Sequence, residues 1–93
     1  MTAHNPAPRT VTIRYFAWVR EKTGIGEEQI ALPEKIATAG ELVRWMAERG
    51  PEFASAFAKP NAIRVAIDRT HVQSDAKIGA AREIAFFPPV TGG

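Results

Sequence analysis

Pro88-Pro89-Val90-Thr91-Gly92-Gly93, at the end of the 93-residue chain, is the stretch whose residue types and order can do chemistry. Proline lacks a backbone donor and holds φ near one value, so Pro88 and Pro89 should leave any sheet as a stiff, extended arm. Gly92 and Gly93 carry no Cβ, so the tip can enter a channel too narrow for a side chain. The group that such an arm delivers is the terminal carboxylate of Gly93. A free carboxylate is a poor electrophile, because its charge and resonance disfavour attack. Acyl chemistry there requires prior activation, as an acyl-adenylate formed with ATP and Mg²⁺. The chain has no phosphate cradle for that step, since Gly24-x-Gly26 lacks the lysine and spacing of a P-loop. No cofactor is expected on this chain, and ATP and Mg²⁺ fall to an activating partner. Alone, a Gly-Gly end reads as an ordinary frayed terminus. After Ile84-Ala85-Phe86-Phe87 and the two prolines it reads as a reactive arm, expected to be mobile until a partner orders it.

The remainder of the chain offers little competing chemistry. There is no cysteine, which excludes disulfides, thiol catalysis and cysteine-held clusters, and means that any sulfur carried here is not on a side chain. His4 and His71 are far apart and lack metal-ligand spacing, so no metal site is expected, and His71 beside a turn reads as a solvent-exposed residue. No nucleophile and base recur together, so the chain reads as a carrier and not as a catalyst. Twelve basic and ten acidic residues are interspersed to a net charge of +2, without the basic block that nucleic acid would call for. Neither a signal peptide nor an apolar run near the roughly 20 residues of a membrane span occurs, so a cytoplasmic protein is expected.

The elements that must position the arm can be read from periodicity. Met1 to Pro8 has no pattern and reads as a flexible leader, residues 9–87 as one domain, and residues 88–93 as the tail. Val11, Ile13 and Tyr15 alternate with Thr12, Arg14 and Phe16 in a first strand. Trp18 to Lys22 makes a turn of helix ended by Thr23-Gly24. A second strand runs from Gly26 through Ile30 and Leu32 to Pro33, and the short connection favours antiparallel pairing with the first. Thr38-Ala39-Gly40-Glu41 is a capping box. Ala39, Leu42, Val43, Met46 and Ala47 then form an apolar stripe, with Trp45 off it as a partial lid or surface contact. Gly50-Pro51 separates a further helical turn carrying Phe53 and Phe57, which are expected in the core with Met46. Ile63, Val65 and Ile67 mark a third strand, Asp68-Arg69-Thr70 a tight turn into a short strand at Val72, and Glu83 to Phe87 the last strand. This order predicts an α+β domain with a mixed sheet packed on one main helix. In the phase set by the buried residues, Phe16 and Phe87 fall on the outer face, where alternation calls for polar residues.

Phe86-Phe87-Pro88-Pro89-Val90-Thr91-Gly92-Gly93 resembles the ending of molybdopterin synthase small subunits, the MoaD-like sulfur carriers. Tyr15-Phe16-Ala17-Trp18-Val19-Arg20-Glu21, followed by Gly24, is a second match, and the resemblance spans most of Val11 to Gly93. Gly79-Ala80-Ala81-Arg82 departs from it, lacking the Asp-Gly-Asp type of turn common before the last strand. The resemblance implies a ubiquitin-like β-grasp fold with the first and last strands adjacent and parallel in the middle. It implies that Phe16, Arg20 and Phe87 meet the partner proteins, with Pro88, Pro89, Val90 and Thr91 following into the partner's active site. It also implies that an E1-like adenylyltransferase and a sulfurtransferase convert Gly93 to a thiocarboxylate. The thiocarboxylate then gives sulfur to a precursor pterin on the large subunit, within a heterotetramer of two small and two large subunits. Two alternatives stay open: a sulfur carrier for thiazole or tRNA thiolation, and a ubiquitin-like modifier joined to lysines through Gly93.

Overall fold

The computed structural model describes residues 9–89; the expected leader and the expected roles of Val90, Thr91, Gly92 and Gly93 lie outside them. Strand β1 (Arg9–Tyr15) is followed by helix α1 (Ala17–Thr23) and strand β2 (Glu27–Leu32). Helices α2 (Ala39–Met46) and α3 (Pro51–Ala56) come next, then a 3-10 turn at Pro60–Ala62. Strands β3 (Arg64–Ile67), β4 (Thr70–Val72) and β5 (Glu83–Phe87) complete the described chain. The five strands form one sheet in the order β2-β1-β5-β3-β4. Strands β1 and β5 are parallel, and all other pairs are antiparallel. That is the mixed sheet expected, with the first and last strands side by side at its centre.

Alternation explains which face is filled. Val11, Ile13 and Tyr15 of β1 and Ile84 and Phe86 of β5 are buried, and they pack on Leu42, Met46 and Ala39 of α2. The α2 start is the capping box read from the sequence: the Glu41 amide donates to Thr38 Oγ1 at 3.2 Å, and Glu41 Oε1 accepts from the Thr38 amide at 3.1 Å. Helix α1 closes on Gly24 in the left-handed region, φ 83°, where the Gly24 amide donates to the Arg20 carbonyl. Phe57 fills the core edge-on to Phe86, with ring centroids 5.0 Å apart, whereas Phe53 is half-buried against the Tyr15 ring. Trp45 is likewise half-buried, packed on the core and flanked by Arg49.

Two local departures have physical causes. The second strand begins at Glu27 instead of Gly26, because the chain bends at Gly26, whose carbonyl still accepts one last bond from the Tyr15 amide. The third begins at Arg64 instead of Ile63, whose amide closes the 3-10 turn on Pro60. The segment before β5 is tied down from the side: Asp68 Oδ1 accepts from the Arg82 amide at 2.9 Å and the Glu83 amide at 3.0 Å. That contact supplies the fastening that an Asp-rich turn would otherwise give.

Candidate functional site

The outer face of the sheet is where the expected partner-binding residues gather. In the parallel pair Tyr15 lies opposite Phe86, so the next residues, Phe16 and Phe87, stand beside each other at the ends of β1 and β5. The Phe16 amide donates to the Phe86 carbonyl at 3.0 Å, which holds Phe16 in extended backbone as the N-cap of α1. Its ring is 45% exposed, the one large hydrophobic side chain so exposed among the described residues. Folding does not account for it. Phe87 is half-buried, because the His71 ring lies on it with centroids 4.9 Å apart. His71 is exposed, as read from the sequence, yet it is not free solvent surface: it walls the patch. Phe16 and Phe87 line one groove, floored by Ala66 and Ala85 and edged by Arg14, Arg69 and Glu83. The small floor residues let the two rings stand proud of the strand backbone.

Arg20 is exposed on the next turn of chain and lies over Gly26. A Cβ at Gly26 would sit 3.0 Å from both Cζ and Nε of Arg20, so a side chain there would push the guanidinium aside. Arg20, Phe16, Arg14 and Glu27 edge a second shallow depression continuous with the first through Arg14 and Phe16. Arg14 is already paired, its Nε donating to Glu27 at 3.1 Å. Pro88 and Pro89 follow Phe87 directly, half-buried and outside regular structure. The segment leading to the Gly-Gly tip thus starts from the rim of the aromatic patch. A larger groove of about 640 Å³ opens between α2 and the β3–β4 side, and its lining brings together no nucleophile and base. Among the described residues no group of three or more His, Asp or Glu could hold a metal ion.

One polar cluster has no counterpart in the sequence reading. The Tyr15 hydroxyl donates to Glu28 Oε2 at 2.6 Å, and Arg49 grips both Glu28 oxygens at 2.7 and 3.0 Å. Burial, with the adjoining carboxylate, pushes the Tyr15 hydroxyl far above the usual tyrosine range. The Arg49 hydrogen bonds hold Glu28 below the usual carboxylate range. The cluster lies on the inner side and ties β1 and β2 to the chain after α2, so it supports the fold beneath the patch. Its members are separated by 13 and 21 residues, and no local spacing announces them.

Sheet order and helix placement make this a ubiquitin-like β-grasp domain, with an aromatic outer face at the root of its C-terminal arm. The chain belongs to the ThiS family, whose model matches residues 13–93. It is 36% identical over 83 residues to the molybdopterin synthase sulfur carrier subunit of Haemophilus influenzae, covering 89% of this chain and 99% of that protein. The Escherichia coli protein of the same name is 32% identical over the same spans. In fold it is similar to SAMP1 of Haloferax volcanii, with TM-score 0.68 and 22% identity over 90% of this chain and 99% of that one. A second Haloferax volcanii protein, solved in solution, gives a TM-score of 0.72 at 19% identity over 100% and 94% of the two chains.

Proposed function

We propose that this chain is the sulfur carrier subunit of a molybdopterin synthase, with the carboxyl carbon of Gly93 bearing the sulfur. The observation that carries the reading is the match along 99% of two curated sulfur carrier subunits, in a family model that extends through Gly93. The aromatic face at the root of the Pro88-Pro89 arm supports it, because a carrier needs a docking surface from which its tip can reach a partner. In the proposed cycle an E1-like adenylyltransferase joins the Gly93 carboxylate to AMP from ATP, with Mg²⁺, releasing pyrophosphate. A sulfurtransferase system then supplies sulfur at the oxidation level of sulfide; a C–S bond forms at the acyl carbon and the acyl C–O bond breaks, with AMP as the leaving group. The resulting thiocarboxylate is a better nucleophile than the carboxylate and delivers sulfur without releasing it as sulfide. Transfer to the precursor pterin takes place on the large subunit, in a heterotetramer of two small and two large chains. Two sulfurs complete the dithiolene, so carriers must dissociate and be recharged. Phe16, Phe87 and Arg20 dock the carrier in the cytoplasm, and no helix of the described residues is long and apolar enough to cross a membrane.

The likeness to SAMP1 is one of fold at 22% identity and does not favour attachment to lysines. Intact-mass measurement of the chain, purified from cells that also make its activating enzyme, tests the reading. A population heavier by the replacement of one oxygen with sulfur is expected, and it should vanish when Gly93 is deleted, together with dithiolene formation. Dithiolene synthesis at full rate by the deletion variant would refute the proposal, as would stable conjugates of high mass in place of the thiocarboxylate.

A further inference from the structure

Strands β3 and β4 are joined by a tight two-residue turn, Asp68-Arg69, in which both residues have positive φ, 48° and 72°. That is the backbone of a mirror-image hairpin turn, for which Asn-Gly or Asp-Gly is the favoured pair. Asp68 suits its position: short polar side chains tolerate this region, and its carboxylate is occupied by the Arg82 and Glu83 amides. Arg69 has no such compensation. Its Cβ makes the left-handed backbone strained, where glycine would not be. The two ion pairs among the described residues, Arg14 with Glu27 and Arg49 with Glu28, leave Arg69 out, and its side chain makes no hydrogen bond with any of those residues. The arginine nevertheless edges the groove that holds Phe16 and Phe87. Strain kept at a surface position with no structural return points to a use outside the free domain.

We infer that Arg69 is a specificity-determining docking residue, whose guanidinium meets a carboxylate on the large-subunit partner at the rim of the Phe16–Phe87 patch. Charge argues for that occupant. Arg14 on this rim is held by Glu27, whereas Arg69 has no ion-pair partner among the described residues, so its guanidinium is the rim charge open to a carboxylate of the partner. A rim charge of this kind steers encounter and rejects wrong partners more than it adds affinity. Arg69 thereby divides the work with the aromatic pair, which supplies the apolar contact. The inference rests on the docking reading above.

The test compares Arg69→Gly, Arg69→Glu and Arg69→Lys with Phe87→Ala, measuring denaturant unfolding and binding to the purified large subunit over a range of salt. Arg69→Gly should unfold at the same or higher denaturant concentration, because the turn loses its strain. It should nevertheless bind about fivefold more weakly, with a flatter salt dependence. Arg69→Glu should lose about tenfold or more in affinity through repulsion, and Arg69→Lys should stay near wild type. Unchanged affinity and salt slope in Arg69→Gly would overturn the inference. If Phe87→Ala then still weakens binding, the docking face stands without its arginine. Weakening by Arg69→Gly while Phe87→Ala binds normally would keep the arginine contact and discard the aromatic patch.

Discussion

Phe16 leaves nearly half of its surface in water, and Phe87 is shielded mainly by the ring of His71, so neither residue is held in place by the core. Removing an exposed apolar side chain changes stability little, about 0.5 kcal/mol, whereas emptying a core Phe site costs about 3–5 kcal/mol. Phe16→Ala should therefore unfold almost like wild type, and Phe87→Ala should lose only about 1 kcal/mol, as a half-buried residue. Binding should respond in the opposite proportion, because truncating a central aromatic anchor costs on the order of 2 kcal/mol. Unfolding and affinity measured on the same two proteins settle the point, and a collapse of stability with unchanged affinity of the folded fraction would place both rings in the core. His71 was legible as exposed but not as a wall of the patch. The turn Asp68-Arg69 puts it opposite Ala66, one strand from Phe87, and that register needs the sheet order.

Elements were read well where a local signal begins or ends them. Thr38 and Glu41 mark the start of α2, Gly24 the end of α1, and Gly50-Pro51 the entry to α3. The turn before β5 was the weak point, since Gly79 to Arg82 lack the Asp-Gly-Asp type of turn. Its order comes from Asp68, 14 residues earlier, whose carboxylate holds the Arg82 and Glu83 amides. Asp68→Ala should remove both acceptor contacts and place an alanine at φ 48°, at a combined cost of about 2–3 kcal/mol. Asp68→Asn keeps an oxygen and tolerates the left-handed region, so it should cost distinctly less. Denaturant unfolding of the two variants checks this, and equal losses would show that neither the retained oxygen nor asparagine's tolerance of the left-handed region matters. Since β5 carries both Phe87 and the arm, loosening its start should also blunt partner binding.

At the scale of the molecule, Tyr15, Glu28 and Arg49 couple the sheet to the chain that follows α2, and their shifted ionisations make stability depend on pH. Tyr15 is held neutral in the fold, so the unfolded chain loses that proton first, near the ordinary value of about 10. Above that pH the unfolded state binds fewer protons and stability falls as pH rises. Glu28 is shifted the other way: its contribution is present above the ordinary carboxylate value of about 4.3 and is lost as pH falls through the lower folded value. Urea unfolding across pH should show both limbs, with Tyr15→Phe flattening the alkaline one and Glu28→Gln the acid one. Tyr15 is the sole tyrosine in the sequence, so the ultraviolet tyrosinate band of the folded protein reports it alone. A midpoint at the ordinary tyrosine value would contradict the cluster.

Periodicity and terminators are short-range properties, and they were enough to read five strands, the capped helix, the inward and outward faces of β1 and β5, and the outward phase of Phe16 and Phe87. The Phe-Phe-Pro-Pro-Val-Thr-Gly-Gly ending is likewise a local string, and the resemblance it carries agrees with the family match over residues 13–93. What folding decided was every relation across the chain. Parallel pairing of β1 with β5 brings residues some 70 positions apart side by side and turns two separate aromatics into a single patch. Tertiary packing likewise lays Arg20 on Gly26, sets the His71 ring at a tilt against Phe87, and joins Tyr15 to Glu28 and Arg49. Local sequence sets backbone preference and burial phase, whereas side-chain partners depend on which strands become neighbours, and that follows only from how the whole chain buries its apolar surface.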